Sequence, residues 1–196
     1  MRGMSEARLH QWTLEEFLAW EERQPAKYEF VNGEPRLMTG VTLGHDQIFM
    51  NVAIALGGKL RGSPCRPRGS DVRVVTGNGN VRYPDVVVDC GPFRREARDV
   101  AEPVVILEVL SRTTAWTDLH DKLRDYDATP AVRRYVVIAQ DEPKLVVWER
   151  DPSGRLALAS SLDGLDGTLA LAPIEAELRM ADTYEGLGFE PAAATP

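Results

Sequence analysis

Apolar residues recur at helical spacing in three segments of the chain. A capping-box pattern, Thr13-Leu14-Glu15-Glu16, opens the first segment. The second segment has apolar residues three and four apart, and its stripe runs from His45 to Leu60. The predicted helices span residues 14–22, 45–60 and 118–128.

Short runs rich in β-branched and aromatic residues predict the strands. The stretch "KYEFVNGEPRLM" predicts a hairpin, because Asn32-Gly33 suits a type I′ turn. Further strands are predicted at 71–76, 81–89, 104–110, 134–139, 144–150, 156–160 and 168–171. This order predicts an α/β domain with a mixed sheet flanked by helices, and with additional N-terminal and C-terminal hairpins. We expect one domain over 1–190 and a flexible tail over 191–196.

The composition is that of an ordinary globular protein, with 43% hydrophobic and 27% charged residues. No apolar run is long enough to span a membrane, and the first residues contain no secretory signal. Cys65 and Cys90 form no metal-binding motif, so we expect them to be reduced in a cytoplasmic protein.

Basic residues are concentrated in one part of an otherwise acidic chain, whose net charge is -7. The segment from Lys59 to Arg82 has six basic residues and one acidic residue. Arg66, Arg68 and Arg73 within it are therefore candidates for contacts with DNA phosphates. A solvated loop, with arginines paired to acidic groups elsewhere, explains the segment equally well.

A carboxylate interrupts the most apolar predicted strand, which reads "VVILEVL" around Glu108. A lone buried carboxylate costs several kcal/mol, unless it is paired, protonated or bound to a metal. Strand alternation places Asp85 on one face with Val87, and Glu108 on one face with Ile106. If the two strands are neighbours, both carboxylates point into one cleft, where Mg²⁺ could neutralise them. An ion pair would also satisfy Glu108, and Asp85 alone could be a turn residue.

Lys122 lies on the helix that follows this strand. Viewed down the helix axis, Lys122 lies between Leu119 and Tyr126, which belong to the stripe expected to pack on the sheet. The aliphatic part of its side chain therefore leans toward the sheet. From there its ammonium group could reach the carboxylates, with Asp118 and Asp125 on the solvent side to orient it. Alternatively, Lys122 is an ordinary lysine, whose aliphatic stem covers apolar surface while its ammonium group is in water.

The segments "YPDVVV", "ILEVLSRTT" and "DLHDKLRDY" together resemble the Uma-two family of endonucleases. Its superfamily, PD-(D/E)XK, has the restriction-endonuclease-like fold, a mixed β-sheet flanked by helices. The resemblance covers most of the chain, from "TLEEFLAW" and "KYEFVNGE" to "ADTYEGLGF".

The resemblance implies catalytic roles for Asp85, Glu108 and Lys122. The two carboxylates would bind Mg²⁺, for which Mn²⁺ can substitute, and the lysine would assist the attacking water. Leu110 stands where the superfamily pattern has its lysine, and Lys122 matches a lysine displaced onto the next helix. Glu29, Glu34, His45 and Asp71 stand at further positions shared with the family, and Glu34, His45 and Asp71 among them are auxiliary candidates for the site.

Two functions follow from these expectations. The first is a metal-dependent DNA endonuclease that hydrolyses phosphodiester bonds and acts as a homodimer, with its hairpins as the dimer surface. The second is an inactive nuclease fold that binds DNA or another protein. A serine hydrolase and a P-loop enzyme are disfavoured, because the chain contains neither GxSxG nor GxxxxGK[ST].

Overall fold

The structure is a computed structural model that describes residues 11–110 and 115–189. The helices are α1 (Leu14–Glu21), α2 (Leu43–Lys59), α3 (Ala115–Asp127) and α4 (Met180–Thr183). The strands are β1 (Tyr28–Val31), β2 (Glu34–Leu37), β3 (Arg66–Arg68), β4 (Val74–Val75), β5 (Val81–Arg82), β6 (Val86–Asp89), β7 (Pro103–Leu110), β8 (Arg134–Ala139), β9 (Lys144–Arg150), β10 (Leu156–Asp163), β11 (Thr168–Leu171) and β12 (Ala176–Arg179). None of the helices in these ranges could cross a membrane. The predicted tail, 191–196, lies outside the described residues.

A six-stranded mixed sheet forms the centre of the fold. Its strand order is β10-β9-β8-β7-β6-β3, and only β7 and β8 are parallel. All eight residues of β7 are buried, because helices cover both faces of the sheet. On one face Ile48 and Val52 of α2 join the core around Val86. On the other face Tyr126 of α3 joins the core around Ile106. The predicted α/β class is confirmed.

A smaller sheet, of order β2-β1-β5-β4, packs with α1 beside the central one. Asn32 and Gly33 both have positive φ, 53° and 85°, which confirms the type I′ turn between β1 and β2. Phe17 of α1 stacks on Phe30 of β1 with ring centroids 4.7 Å apart. Thr13 caps α1 as predicted, because both hydrogen bonds of the capping box are present.

The prediction of one strand over residues 81–89 is wrong. The chain leaves the small sheet after Arg82 and enters the central sheet at Val86. Pro84 lies in the segment between the two strands. Proline has no N–H to donate, but no strand hydrogen bond is needed at this position. Asp85 therefore lies at the junction of the two sheets, directly before β6.

The central sheet corrects the expected state of the two cysteines. Cys65 and Cys90 form a disulfide instead of remaining reduced, because the pairing of β3 with β6 brings the residues flanking the strands opposite each other. The β8–β9 hairpin lies between β7 and β10, so both of its strands are paired within the central sheet. The dimer surface expected at the hairpins stays a prediction.

Candidate active site

Glu108 is the buried carboxylate of the central strand, and it has two side-chain partners. The Lys122 ammonium donates to its Oε2 over 2.8 Å, and the Tyr126 hydroxyl donates to its Oε1 over 2.7 Å. Both partners come from α3 and are four residues apart, so they lie on the helix face toward the sheet. The inward lean predicted for Lys122 is thus observed, with only 8% of the residue exposed.

Burial raises the pKa of Glu108 from 4.5 to about 7, although the Lys122 charge opposes this shift. The negative charge of Asp85 nearby raises the pKa further. Burial and the charge of Asp85 thus favour the protonated form of Glu108, whereas a cation beside it would favour the charged form.

Asp85 reaches the same region from the crossing between the two sheets. Its Oδ2 accepts the backbone N–H of Val109 over 2.7 Å and lies 3.2 Å from His45 Nε2. This hydrogen bond ties the start of β6 to the residue after Glu108. Burial lowers the pKa of His45, but the hydrogen bond and charge of Asp85 outweigh burial, so the pKa is raised overall.

Asp85, Glu108, Lys122 and His45 line one cleft of about 720 Å³, which we call the carboxylate cleft. It lies between the end of β7, the first turn of α2, α3 and the segment after β2. A volume of this size accommodates a phosphodiester with its flanking sugars. The lining residues with polar side chains include Glu29, Arg36, Thr42, His45, Tyr83, Asp85, Glu108, Lys122 and Gln140.

A buried ionic network behind the cleft fixes α3 against the small sheet. Arg82 is fully buried and donates to Glu29 Oε2 and Asp125 Oδ2, each over 2.7 Å. Asn78 and Asn80 donate to the other oxygen of Asp125, over 2.7 and 2.8 Å. The network holds the helix turn that carries Lys122 and Tyr126. Sequence reasoning missed it, since Arg82 was counted with the basic segment and Asp125 was expected on the solvent side.

The auxiliary candidates separate into two groups. His45 lines the carboxylate cleft, next to Glu29, a family position for which no site role was predicted. Glu34 is exposed on the edge strand β2 and does not line the cleft. Asp71 is also outside it, because it lies in an exposed turn, where Lys27 pairs with it over 2.5 Å. Strand β4 begins only at Val74, which is why Asp71 is not carried toward Asp85.

The three candidate DNA-binding arginines also separate. Arg73 is buried and paired with Glu21 and Asp99, so it is unavailable to a phosphate. Arg66 is exposed and Arg68 half-buried on the edge strand β3, and both guanidinium groups lie over the exposed ring of Phe93, at 5.9 and 5.3 Å.

Comparisons with known proteins agree with this architecture. Residues 14–181 match the family Uma2, described as "Putative restriction endonuclease". "Uncharacterized protein slr1290" from Synechocystis is 29% identical over 177 residues, which cover 89% of this chain and 92% of the relative. A second Synechocystis protein, "Uncharacterized protein sll1609", is 28% identical over 132 residues, which cover 65% of this chain and 75% of that relative.

A solved structure has the same fold. The crystal structure of "a putative nuclease belonging to DUF820" from Anabaena variabilis matches with a TM-score of 0.72 and 17% identity. The match covers 88% of this chain and 97% of that one, so the shared fold extends over most of both chains. The restriction-endonuclease-like fold expected from the sequence is confirmed, and the chain belongs to the Uma2 family.

Proposed function

We propose that the protein is a metal-dependent DNA endonuclease whose active site is the carboxylate cleft. One observation carries the proposal: Asp85, Glu108 and Lys122, which are far apart in sequence, meet in one cleft at the junction of the two sheets. A carboxylate pair with a buried lysine is suited to phosphodiester hydrolysis, in which a hard cation and a positioned ammonium group offset developing negative charge.

The donor set of the cleft fits Mg²⁺. Carboxylate oxygens are hard ligands, and each of them can accept more than one interaction. Each oxygen of Glu108 accepts one hydrogen bond in the structure and has capacity for a further contact. The described residues contain no group of three or more His, Cys, Asp or Glu side chains that could hold a metal. With only two carboxylates as protein ligands, Asp85 and Glu108 would leave the remaining positions on Mg²⁺ to water and phosphate oxygens, as Mg²⁺ often is bound.

When bound, the metal would lower the pKa of a water and polarise the phosphoryl oxygen. Lys122 would orient that water and stabilise the negative charge that develops on the phosphate. Tyr126 holds the Glu108 carboxylate through its hydroxyl and would keep its orientation as the lysine shifts toward the substrate. His45, whose raised pKa favours its cationic form, would contact a phosphate oxygen beside Asp85.

Metal affinity should rise with pH, since Glu108 must lose its proton to become a ligand. Its pKa of about 7 in the folded protein means that the proton is held below neutral pH and is absent above it. We expect the dissociation constant for Mn²⁺ to fall about tenfold between pH 6 and pH 8 in calorimetric titrations. His45 also titrates, and it lies beside Asp85, the other proposed ligand. The pH dependence of the Mn²⁺ dissociation constant should therefore be the same in the His45→Gln variant, because it arises from Glu108. An affinity that stays constant over this range would contradict the role of Glu108.

The arginines of β3 are suited to hold the DNA backbone near the cleft. Arg68 pairs in register with Val87, two residues after Asp85, so the end of β3 lies beside the Asp85 end of β6. Reversing both charges, Arg66→Glu with Arg68→Glu, should weaken binding of a labelled duplex at least about tenfold and flatten its salt dependence. Arg179→Glu, an exposed arginine on β12, is the matched control. Equal affinities of the two variants would show that β3 does not contact DNA.

The second candidate function is an inactive nuclease fold that binds DNA or protein. It is favoured by the Lys122–Glu108 pair, which partly neutralises the buried carboxylate without any metal. Incubating the protein with DNA, with Mg²⁺ present or chelated, separates the two functions. The endonuclease produces cleaved DNA only with the metal, and the Glu108→Gln variant does not, whereas the inactive fold leaves DNA intact under both conditions.

A further inference from the structure

Helix α2 has an apolar stripe on its outer face, opposite the stripe that packs on the central sheet. Leu43 is 88% exposed, Ile54 67% and Met50 42%. These residues belong to a series spaced alternately four and three apart, as in the seam of a coiled coil: Leu43, Gln47, Met50, Ile54, Gly57 and Arg61. The inner stripe is fully buried at Ile48, Val52 and Leu56. The helix therefore has two apolar faces, and the residues that the structure describes cover only one of them.

Gly57 and Gly58 lie in the last turns of α2, and packing within the chain does not require either of them. A Cβ at Gly58 would meet open space, and a Cβ at Gly57 would come no closer than 3.9 Å to Pro67. Neither residue has a positive φ. A glycine inside a helix makes the helix less stable than an alanine would. Their small size is explained if a second helix approaches closely at this end of the outer face.

The two ends of the outer face have opposite charges. Asp46 is exposed in the first turn, and Arg61 is exposed directly after the helix. Neither side chain forms an ion pair within the part of the chain that the structure describes. Antiparallel packing of two such helices would bring Asp46 close to Arg61 of the partner subunit, twice by symmetry. It would also align the helix dipoles favourably.

We propose that the occupant of this face is a second copy of the chain, in a two-fold symmetric dimer built on antiparallel α2 helices. In this register Met50 packs on Ile54 of the partner subunit near the two-fold axis. Because Gly57 has no side chain, it then leaves room for the helical turn around Gln47 of the partner subunit. This dimer surface differs from the β8–β9 hairpin, whose strands are both paired within the central sheet.

Light scattering coupled to size-exclusion chromatography tests the proposal on the full chain. The wild-type protein should have the mass of a dimer, and Ile54→Lys should raise the dimer dissociation constant about 100-fold or more. Leu158→Lys is the matched control, because Leu158 is 66% exposed on β10, at the edge of the central sheet opposite β3, which α2 contacts. A monomeric wild-type protein, or a dimer equally stable in both variants, would overturn the proposal.

Charge reversal tests the antiparallel register separately. Asp46→Lys and Arg61→Asp should each weaken the dimer, since each places like charges together twice. The double variant should regain most of the affinity, because the opposite charges meet again with their positions exchanged. Sedimentation equilibrium of the four proteins measures this, with circular dichroism to establish that each one is folded. If the double variant is weaker than both single variants, the antiparallel register is wrong.

Discussion

Glu108→Gln is expected to lower the rate of metal-dependent DNA cleavage at least about a thousandfold. The substitution keeps the shape of the side chain and removes the negative charge that would hold the metal. The amide oxygen can still accept a hydrogen bond from Lys122 or Tyr126, which bind the carboxylate in the wild-type protein. The rate is measured on a plasmid substrate with Mg²⁺ in excess.

Glu34→Gln is the matched control, because Glu34 is an exposed acid on β2 outside the carboxylate cleft. It should leave the cleavage rate unchanged. The free energy of unfolding of Glu108→Gln should fall by about 3 kcal/mol, since the buried Lys122 ammonium loses its counter-charge but keeps a hydrogen-bond acceptor. A Glu108→Gln protein that is folded and cleaves DNA at the wild-type rate would exclude the proposed site.

The second large effect is expected from Arg82→Met, which should lower the free energy of unfolding by about 3–5 kcal/mol. Arg82 is fully buried between Glu29 and Asp125, and their charges raise its pKa in spite of burial. Methionine fills a similar volume, but it leaves two carboxylates facing each other without a cation. The loss is measured by urea denaturation at neutral pH.

Arg155→Met provides the comparison, because Arg155 pairs with Asp127 at the surface and its side chain is 74% exposed. Such a pair contributes about 0–1 kcal/mol, so the control should remain close to the wild type. Arg82→Lys keeps the charge, but an ammonium group cannot hold both carboxylates as the planar guanidinium does. Its loss of unfolding free energy should lie between those of Arg82→Met and Arg155→Met. Similar losses for Arg82→Met and Arg155→Met would show that the buried network does not stabilise α3.

The central part of the candidate site could be predicted from periodicity. A run of apolar residues around Glu108 predicts a buried strand, and helix geometry directs Lys122 toward it. These are local properties, in which the order of residues along one strand or one helix fixes the direction of a side chain. The β8–β9 hairpin was predicted to the residue for the same reason.

The surroundings of the site depend on pairings between distant segments, which no local pattern contains. The break at Tyr83–Asp85 arises because β5 and β6 belong to different sheets. Arg82 resembles its basic neighbours in sequence, and only the approach of β1 and α3 makes it a buried cation. The disulfide likewise depends on β3, a strand of three residues that was not predicted. In each case the missing information is which segments become neighbours.

The central claim is that Asp85 and Glu108 hold one divalent cation in the carboxylate cleft. Anomalous diffraction from crystals of the protein soaked in Mn²⁺ tests it most directly. We predict an anomalous peak in contact with both carboxylates, with the Lys122 ammonium displaced from its 2.8 Å contact with Glu108. A cleft without an anomalous peak, in which that contact is unchanged, would contradict the claim.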